Sequence, residues 1–384
     1  MKIILSVFGR FHIFNTAEQL SRYKVLYQFY TSYPIYIINR WKIKSQFIHS
    51  YPFLEFLNRI RSKYLKNMFS SNLHLKKIYD KFISFTMKGD NDFYICWGGY
   101  AYDSMLKAKK MNIVIILELG SSHPLFAKKI LNEESTIFNI NIKTDSKENI
   151  DWQLKTIEMA DYISIPSSFV KRTFIEYGVP EKKLLVNSYG VDLKEFKQIE
   201  KKDTTFRIIY AGGLTFQKGS HYLLQAFDEL ALENCELWHL GAIKDEMKPY
   251  IEKYKNSNVK FLGHKPQKEL YTYYSQGSVF VMPSIQEGMA MVQLQAMACG
   301  LPLICTTNTG GDDLITKDGE EGFVIPIRDV EALKEKILYM YNNQDICKDM
   351  GGKAKKRVSK GFTWNDYGDR YIKNLERILS AKNR

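Results

Sequence analysis

The chain has 384 residues, of which 45% are hydrophobic and 25% charged, and its formal net charge is +13. This length predicts two to three domains that each bury a core, and the apolar fraction excludes a disordered chain. No apolar run approaches the roughly 18 residues of a membrane-spanning helix, and the apolar core of MKIILSVFGR is too short for a secretion signal, so we expect a cytoplasmic protein.

The cysteines and histidines give no sign of a metal centre or of a disulfide framework. The five cysteines are odd in number and lack a C-x-x-C pair, and the seven histidines are dispersed along the chain. We therefore expect no metal requirement. The cysteines expected to be reduced and structural are Cys96, Cys235, Cys299, Cys305 and Cys347.

The first half of the chain alternates predicted strands with predicted helices. Strands are expected at KIILSVF, SYPIYIIN, FYICWGG, NIVIILELG, YISIPS and LLVNS, whose apolar runs are typical of parallel strands buried on both faces. After the first strand, FGRFHIFN is expected as a loop and TAEQLSRYKVLYQFY as a helix, whose start Asn15 and Glu18 could cap. The alternation indicates a doubly wound α/β domain over residues 1–192.

Residues 40–88 form the positive pole of the chain. Within them FLEFLNRIRSKYLKNMF places apolar residues at helical spacing, with basic residues on the rest of the turn. Such a helix can lie on an anionic membrane surface, which would place the protein peripherally on the inner membrane face. It can equally be an ordinary domain helix with a solvated face. Since no nucleic-acid motif accompanies the charge, we expect no nucleic-acid partner. The apolar positions are Leu54, Leu57, Ile60, Tyr64, Leu65 and Met68.

A polar connection, residues 192–204, separates the first half from a second alternation. Strands are expected at RIIYAGG, ELWHLGA, NVKFLGH, VFVMPS, PLICTT and GFVIP. The last run, FTWNDYGDRYIKNLERILSA, is expected as a helix that begins near Thr363. These patterns predict a second doubly wound α/β domain over residues 205–362.

A single carboxylate, Glu287, stands in the apolar and amide-rich run QEGMAMVQLQAMACGLPLI. The preceding VFVMPS is typical of a buried strand, and Ala290 to Cys299 of a helix, so Glu287 lies in a strand-to-helix loop. In open α/β sheets such loops border a ligand crevice. We expect Glu287 to contact a ligand, and the alternative is a favourable interaction with the helix dipole of about 0.3–1 kcal/mol.

The loop YAGGLTFQKGS follows the first strand of the second domain directly. Gly212 and Gly213 permit a tight turn, Lys218 brings a positive charge, and Ser220 could cap the next helix. Free backbone N–H groups and a cation thus converge, which predicts an anion site. The loop matches neither the Walker loop nor G-x-G-x-x-G, so the pattern also fits a solvated lysine.

Three further strand-to-helix loops carry small or polar residues. VFGRFHIFN contains Gly9, Arg10 and His12, and LELGSSHP contains Glu118, Ser122 and His123. In NTGGDDLI, Gly310 and Gly311 leave room for a ligand, while Asp312 and Asp313 fit the first turn of a helix better than a metal site. A lone histidine is usually a hydrogen-bonded polar residue, yet the position of His123 at a strand's carboxyl end suits a cleft.

These segments together resemble a known family. ADYISIPSSFV, YGVPEKKLLVNSYGVD, YAGGLTFQKGSHYLLQAF, FLGHKPQKEL, VFVMPSIQEGMAMVQLQAMACGLPLI and TGGDDLI, in this order and spacing, resemble the family-four retaining glycosyltransferases that use nucleotide sugars. The resemblance covers about residues 160 to 330. It implies the GT-B fold, in which two Rossmann-like domains face each other across a cleft and a final helix, here residues 363–384, crosses back to the first domain. It also implies acceptor binding by the first domain and donor binding by the second.

The resemblance assigns roles to individual residues. Glu287 matches the first glutamate of the E-x7-E signature, which contacts the donor sugar, and Lys218 matches the lysine that faces the diphosphate. Implied catalytic residues are Glu287, Lys218 and His123, and implied acceptor-side residues are His12, Ser122 and His123. The implied donor-binding set also contains Gly9, Arg10, Gly212, Gly213, His264, Gly288, Met289, Ala290, Met291 and Gln295.

Two positions depart from the family pattern. Gln295 stands where a second glutamate usually holds the ribose, and Gly213 stands where an arginine is often found. An amide can still accept from and donate to hydroxyls. The missing arginine removes a bidentate phosphate partner, which another basic residue such as Arg10 would have to replace.

The resemblance therefore implies a retaining hexosyltransferase. A sugar would pass from a nucleotide-diphosphate sugar to an acceptor hydroxyl without a metal, while Lys218 and fixed N–H groups stabilise the departing diphosphate. The expected acceptor is a glycan or a lipid-linked glycan, as in surface polysaccharide or glycolipid synthesis. The alternatives are a nucleotide-sugar epimerase or a phosphorylase of the same fold, and a non-catalytic binding protein with a decayed site.

Overall fold

The computed structural model describes residues 1–64, 73–254 and 257–382, and its strands form two sheets. The first sheet contains β1 (Ile3–Val7), β2 (Leu26–Thr31), β3 (Ile48–Ser50), β4 (Phe93–Trp97), β5 (Val114–Glu118), β6 (Tyr162–Ile165) and β7 (Leu184–Val186). The second contains β8 (Phe206–Ala211), β9 (Cys235–Leu240), β10 (Val259–Phe261), β11 (Val279–Met282), β12 (Leu303–Thr306) and β13 (Gly322–Ile325).

Helices connect these strands and cover both sheets. In the first half they are α1 (Ile13–Arg22), α2 (Ile35–Ile38), α3 (Pro52–Tyr64), α4 (Leu73–Thr86), α5 (Tyr102–Lys110), α6 (Pro124–Phe138), α7 (Lys147–Met159) and α8 (Ser168–Glu176). In the second half they are α9 (Ser220–Leu230), α10 (Lys248–Lys253), α11 (Leu270–Tyr274), α12 (Met291–Ala298), α13 (Val330–Asn342), α14 (Gln344–Ser359) and α15 (Trp364–Lys382). Among the described residues, no helix has both the length and the apolar character needed to cross a membrane.

The two sheets have the same topology. Their strand orders are β3-β2-β1-β4-β5-β6-β7 and β10-β9-β8-β11-β12-β13, and the paired strands run parallel. In each sheet the first strand lies near the centre, and the chain first moves to one side of it and then to the other. This is the doubly wound order of nucleotide-binding domains, so the predicted pair of Rossmann-like domains is confirmed.

The central strands are fully buried, as expected for strands with helices on both faces. All residues of β1, β8, β11 and β12 are buried. Their continuous apolar sequences, such as VFVM in β11, follow from this double coverage, because neither face of the strand meets water.

The prediction of one helix over TAEQLSRYKVLYQFY is wrong. Helix α1 ends at Arg22, Lys24 turns the chain with a positive φ of 59°, and β2 then pairs with β1. The predicted strand SYPIYIIN instead contains the short helix α2, which follows Pro34. The β-rich aromatic run Leu26–Thr31 is therefore the strand, because it can pair with the central strand and be covered on both faces.

The predicted cap of α1 is also wrong. The N-cap of α1 is His12, so Asn15 and Glu18 lie inside the helix. The side-chain oxygen of Asn15 instead accepts a hydrogen bond from the Trp41 indole nitrogen at 2.8 Å. A residue inside the first turn can thus serve tertiary packing when the N-cap of its helix is three residues earlier, at His12, than the pattern suggests.

Helix α15 returns from the end of the chain to the first sheet's helices. The hydroxyls of Tyr367 and Thr16 lie 2.8 Å apart, and Gly368 packs so closely on Gln19 of α1 that an added Cβ would lie 2.6 Å from its side-chain oxygen. The helix begins after Thr363, whose Oγ1 accepts from the backbone N–H of Asp366 at 3.2 Å. The described part of the final helix therefore packs on α1, while residues 383 and 384 lie outside the described residues.

Candidate active site

The strand order places two loops of the second sheet side by side. After β8 the chain adds strands on one side of the sheet, and from β11 onward it adds them on the other side, so the loops after the parallel neighbours β8 and β11 diverge and leave a crevice between them. Ligands of open α/β sheets bind at such switch points. The two loops, residues 212–219 and 283–290, contain Lys218 and Glu287.

Lys218 and Glu287 form an ion pair across this crevice, with side chains that are 24% and 20% exposed. The two loops are joined by a hydrogen bond from the backbone N–H of Ile285 to the carbonyl of Gln217 at 3.1 Å. Gly219 has a φ of +62°, and a Cβ there would overlap the carbonyl oxygen of Pro283. Glycine is therefore needed where the loops approach each other.

The environment of Lys218 suits an anion that displaces Glu287. Burial lowers the pKa of the Lys218 ammonium to about 8, because desolvation disfavours its charged form. The neighbouring Glu287 carboxylate acts in the opposite direction, since an opposite charge favours the ammonium. A bound diphosphate would supply the same compensation, so the ammonium is positioned to exchange one anionic partner for another.

Backbone N–H groups lie next to this ion pair. In the described structure no acceptor is present for the N–H groups of Gly288, Met289 and Ala290, which immediately precede α12. Ala290 is the N-cap and its side chain cannot cap the helix, so α12 presents the positive end of its dipole uncapped. Met289 and Ala290 are buried, and Met291 is the first helical residue. These groups and Lys218 together form a site for an anion.

The glycine-rich loop after β8 is held by its own domain. Gly212 has a φ of +147°, and its carbonyl oxygen lies 2.9 Å from Nε2 of His239. The carbonyl of Gly213 accepts from the Tyr210 hydroxyl at 2.7 Å. A Cβ at Gly213 would meet its nearest heavy atom, in Thr215, at 3.7 Å. No other side chain therefore occupies the space beside Gly213 where the arginine of the resembled family would begin.

The prediction that Ser220 caps α9 is wrong. The N-cap is Gly219, and Ser220 is the first helical residue. Its hydroxyl donates to the Tyr210 hydroxyl at 3.2 Å and accepts from the backbone N–H of Thr215 at 3.3 Å. Ser220 thus fixes the loop that carries Lys218 instead of capping the helix.

A segment next to Glu287 forms the contact with the first domain. The side-chain nitrogen of Gln286 donates to the hydroxyls of Ser121 and Ser122, both at 2.7 Å. A Cβ at Gly288 would overlap the carbonyl oxygen of Gly120. The loop after β5 therefore reaches the Glu287 loop directly, and the two domains meet at the proposed ligand crevice.

The third glycine-containing loop also lies in this contact. The backbone N–H of Glu287 donates to the carbonyl of Asn308 at 3.0 Å. Asp313 accepts from the backbone N–H of Ser168 at 2.7 Å, and Asp312 pairs with Arg172 at 2.9 Å. Asp312 and Asp313 lie in a 3-10 turn, residues 311–313, and they bind the amino-terminal end of α8 in the other domain.

His123 is a buried, neutral side chain. Its Nδ1 accepts from the backbone N–H of Leu125 at 3.4 Å at the start of α6, and its ring stacks on Tyr177 with centroids 4.7 Å apart. Burial lowers its pKa to about 4. With Nδ1 accepting, the proton of the neutral ring is on Nε2, so His123 can donate a hydrogen bond at neutral pH but is a poor acceptor of a further proton.

The remaining histidine and amide positions lie apart from Lys218. His12 is buried beside Tyr189 and lies 3.3 Å from the carboxylate of Glu118. Gln295 is buried on α12 and accepts from the Tyr274 hydroxyl at 3.5 Å, whereas His264 lies exposed in the loop after β10. Within the described residues neither Gln295 nor His264 contacts Lys218 or Glu287. Their roles in donor binding stay predictions.

Gly9 and Arg10 lie at the switch point of the first sheet. They border a cavity of about 270 Å³ between the loops after β1 and β4. The Arg10 guanidinium lies 5.7 Å from the centre of the Trp41 ring. The structure therefore brings Gly9 and Arg10 together with the first domain's cavity, and no described contact joins Arg10 to Lys218 or Glu287.

A buried ion cluster between the domains was not predicted. Glu134 of α6 lies 2.9 Å from Nε2 of His221 on α9 and accepts from the Arg328 guanidinium at 2.8 Å. Burial opposes ionisation of Glu134, but these hydrogen bonds hold its pKa below the usual value. Burial lowers the pKa of His221. Glu134 is 87 positions from His221 and 194 positions from Arg328 in the sequence, so no local pattern could have revealed this cluster.

Comparison with known proteins identifies the second domain. Residues 191–357 match the family of glycosyl transferases group 1. The chain is similar to the capsular polysaccharide biosynthesis glycosyltransferase CapM of Staphylococcus aureus, with 28% identity over 222 residues, 53% of this chain and 58% of CapM. The chain spans about half the length of the curated relatives CapM and two others that it matches.

Solved structures confirm the GT-B fold. Sucrose-phosphate synthase from Thermosynechococcus elongatus superposes with a TM-score of 0.76 and 16% identity, covering 99% of this chain and 100% of that one. Anabaena HepE in complex with UDP-glucose superposes with a TM-score of 0.70 and 15% identity, covering 99% and 100% of the two chains. At these identities the likeness establishes the fold alone.

Proposed function

From the match of residues 191–357 to the glycosyl transferases group 1 family, we propose that the chain transfers a hexosyl group from a nucleotide-diphosphate sugar to an acceptor hydroxyl. The observation that supports this most strongly is the Lys218–Glu287 pair beside the uncapped start of α12. A cation, free N–H groups and a carboxylate suit the diphosphate and the hydroxyls of one donor. The first domain binds the acceptor, and the second binds the donor.

Donor binding rearranges the ion pair in this proposal. The diphosphate takes the place of Glu287 at the Lys218 ammonium, and the freed carboxylate accepts hydrogen bonds from the donor sugar's hydroxyls. Charge on the leaving diphosphate grows as the bond to the anomeric carbon breaks, so fixed N–H groups and Lys218 stabilise the transition state more than the ground state. In this proposal no metal ion takes part in the transfer.

The acceptor hydroxyl attacks from the face that the diphosphate leaves, which retains the anomeric configuration. Its proton passes to the departing phosphate oxygen. Neutral His123 donates a hydrogen bond from Nε2 to the sugar or the acceptor, because its pKa of about 4 leaves the ring uncharged at neutral pH. Ser122 and Gln286 hold the loop that carries His123 against the Glu287 loop.

The similarity to a capsular polysaccharide glycosyltransferase supports a surface glycan as the product. The binding of UDP-glucose by HepE, a protein of the same fold, makes uridine diphosphate sugars the first donors to test. The assay would incubate the enzyme with a panel of nucleotide sugars and lipid-linked glycan acceptors, and mass spectrometry would detect the products.

This assay also separates the alternatives. Glycosyl transfer requires release of the nucleoside diphosphate and growth of the acceptor by one sugar. Conversion of the donor without an acceptor would indicate an epimerase, and formation of a sugar 1-phosphate from a glycan and phosphate would indicate a phosphorylase. If no nucleotide sugar binds, the chain is a binding protein with a decayed site.

We further propose that the helical pair α3 and α4 places the enzyme on an anionic membrane. Phe53, Phe56 and Phe85 are 67%, 60% and 89% exposed. The start of α3 and the end of α4 are adjacent, because Tyr51 stacks on Phe82 with ring centroids 5.7 Å apart. This aromatic surface, defined as Phe53, Phe56, Phe82 and Phe85, is flanked by exposed basic residues that suit anionic lipid headgroups. These basic residues include Arg59, Lys81 and Lys88.

Vesicle sedimentation tests the membrane proposal. Replacement of Phe53 and Phe56 by serine should weaken binding to anionic vesicles, whereas Leu338→Ser, an exposed apolar residue on α13, should not. Neutralising Arg59, Arg61, Lys63 and Lys66 with glutamine should weaken binding by about 1 kcal/mol per charge. Of the helix predicted from the sequence, Leu65, Lys66 and Met68 lie outside the described residues. Unchanged sedimentation of both variants at low salt would contradict the proposal.

A further inference from the structure

The first domain has its own site at a switch point. The cavity of about 270 Å³ lies between the loops after the neighbouring parallel strands β1 and β4, where the order of strand addition in the first sheet changes from one side to the other. At roughly 30 Å³ per water molecule it has room for about nine waters. That volume lies near the lower end of the roughly 300–1,000 Å³ that is typical of small-molecule pockets, and it has room for one sugar ring.

Aromatic rings form one wall of the cavity. Phe11 stacks on Trp97 with ring centroids 4.6 Å apart and an angle of 13° between the planes, and Phe8 and Tyr100 also line the cavity. Phe11 is 56% exposed, so an aromatic face remains open to a ligand. Flat aromatic faces pack well against the C–H face of a pyranose, which would otherwise expose apolar surface to water.

Two groups from α3 supply hydrogen-bond acceptors. The side-chain oxygen of Asn58 is buried and has no hydrogen-bond partner within the described residues. Glu55 is buried, and its Oε1 accepts from the Arg59 guanidinium at 2.9 Å, while no hydrogen bond to Oε2 is present within the described part of the chain. A buried acceptor without a donor costs about 1–3 kcal/mol, which a ligand hydroxyl would recover.

Two cations that border the same cavity form no ion pair with any residue that the structure describes. Lys76 of α4 makes no ion pair or hydrogen bond with the described residues, and its Nζ would lie 3.9 Å from a Cβ at Gly99 in the loop after β4. Burial lowers the pKa of Lys76. Arg10, in the loop after β1, also lines the cavity. An anionic ligand group would compensate the burial of the Lys76 ammonium.

On both α3 and α4, the side chains that line the cavity and the exposed aromatic side chains lie on different faces of the helix. At 3.6 residues per turn, the mean direction of Phe53 and Phe56 lies about 160° around α3 from the mean direction of Glu55 and Asn58. On α4, Phe85 lies about 180° from Lys76. The exposed aromatic side chains thus point away from the cavity, and the polar side chains point into it. If the aromatic surface lies on a membrane, the cavity opens beside that membrane.

We propose that this cavity binds a negatively charged pyranose of the acceptor, a sugar ring that carries a phosphate or a carboxylate. The ring packs on the Phe11–Trp97 pair, its hydroxyls donate to Asn58 and Glu55, and its anionic group lies between Lys76 and Arg10. The identification of this ligand as an acceptor rests on the proposed glycosyl transfer. The binding of a charged pyranose does not, because it follows from the cavity's own residues.

Calorimetric titration of the full chain with small probes tests the proposal. A hexose 1-phosphate and a hexuronate represent the two sources of charge, and methyl hexoside and inorganic phosphate represent the ring and the charge alone. At least one charged pyranose should bind at least tenfold more tightly than either partial probe. Lys76→Gln should remove most of that preference. Lys77→Gln is the matched control, because Lys77 is the next residue on α4 and pairs with Glu148 instead.

Each outcome either supports or overturns the proposal. Equal binding of the neutral and charged sugars would overturn the anionic ligand, and equal binding of inorganic phosphate and the charged sugars would overturn the ring site. An effect of Lys77→Gln equal to that of Lys76→Gln, or no binding of any charged pyranose, would overturn the cavity assignment. A parallel titration with a nucleoside diphosphate separates the two proposals, since donor binding should be unaffected by Lys76→Gln. Charged-sugar binding without nucleotide binding would refute the proposed transfer reaction alone.

Discussion

Replacing Lys218 by arginine should change the pH dependence of the enzyme in a predictable direction. Burial lowers the pKa of the Lys218 ammonium to about 8. We therefore expect donor kcat/KM to fall as the pH rises, with a midpoint at about 8. If the midpoint lies at about 8, roughly one tenth of the molecules keep the charge at pH 9, and kcat/KM falls about tenfold for each further pH unit.

Arginine keeps its charge throughout this range, so Lys218→Arg should lack the alkaline decrease even if its activity is lower. Lys218→Gln should show low activity that does not depend on pH, with donor kcat/KM reduced roughly 10- to 1,000-fold because a charge-assisted contact to the leaving group is lost. The assay is the initial rate of nucleoside diphosphate release at subsaturating donor from pH 6 to pH 10.5.

The shape of these profiles decides whether Lys218 is the titrating group. An alkaline decrease of the same midpoint in Lys218→Arg would assign it to another residue. If kcat/KM of the unaltered enzyme stays constant up to pH 10.5, the claim that a buried Lys218 ammonium contacts the donor diphosphate would be refuted.

Three further predictions concern the donor loops and His123. Gly213→Arg, which enters open space, should tighten nucleoside diphosphate binding severalfold by restoring a phosphate partner, and calorimetry showing unchanged or weaker binding would refute that phosphate approach. Glu287→Gln should lower turnover more than donor affinity. Gln295→Ala should lower donor affinity by roughly 1–3 kcal/mol and leave saturated turnover nearly unchanged. If steady-state kinetics show the reverse pattern, the roles assigned to the two residues would have to be exchanged. Burial holds the pKa of His123 at about 4 in the folded state, whereas an unfolded histidine binds its proton near pH 6.5. Lowering the pH from 7 to 5 should therefore reduce the free energy of unfolding by about 2 kcal/mol through His123. Urea unfolding of His123→Asn, which can still cap α6, should lack that loss, and an equal pH dependence would show that His123 is not the group responsible.

The strands of the second domain were predictable because their local signals agree. Each predicted segment there contains a strand, and VFVMPS, for example, contains β11 as Val279–Met282. Continuous apolar runs between glycine- or proline-containing loops leave little choice when a strand is covered on both faces.

In the first domain, two neighbouring aromatic runs, LYQFYT and SYPIYIIN, both have the composition of a strand, but only one of them pairs with β1. LYQFYT forms β2 and SYPIYIIN does not, although both are rich in β-forming residues. The outcome depends on the left-handed turn at Lys24 and on Pro34, which starts the short helix α2. Periodicity in a single segment does not contain this information, because it arises from which run reaches the central strand.

The donor loops could be located from the sequence for a local reason. Lys218 and Glu287 each follow a buried strand within a few residues, and the doubly wound order brings those strands together. By contrast, the cavity joins Asn58, Lys76 and Trp97 from three separate elements. The glycine-rich turn WGGY after β4 was a usable signal, since it marks a second strand end at the first sheet's switch point.

The central claim is that Lys218 and the uncapped start of α12 hold the diphosphate of a donor nucleotide. Its most direct test is calorimetric titration of the chain with UDP, GDP and ADP in the presence of a metal chelator, compared with Lys218→Gln and with Lys109→Gln, an exposed lysine of α5 that undergoes the same charge change. We expect one nucleoside diphosphate to bind the unaltered chain and Lys109→Gln equally, and to bind Lys218→Gln roughly 10- to 100-fold more weakly. Absence of binding by all three nucleotides, or equal affinity of Lys218→Gln, would contradict the account.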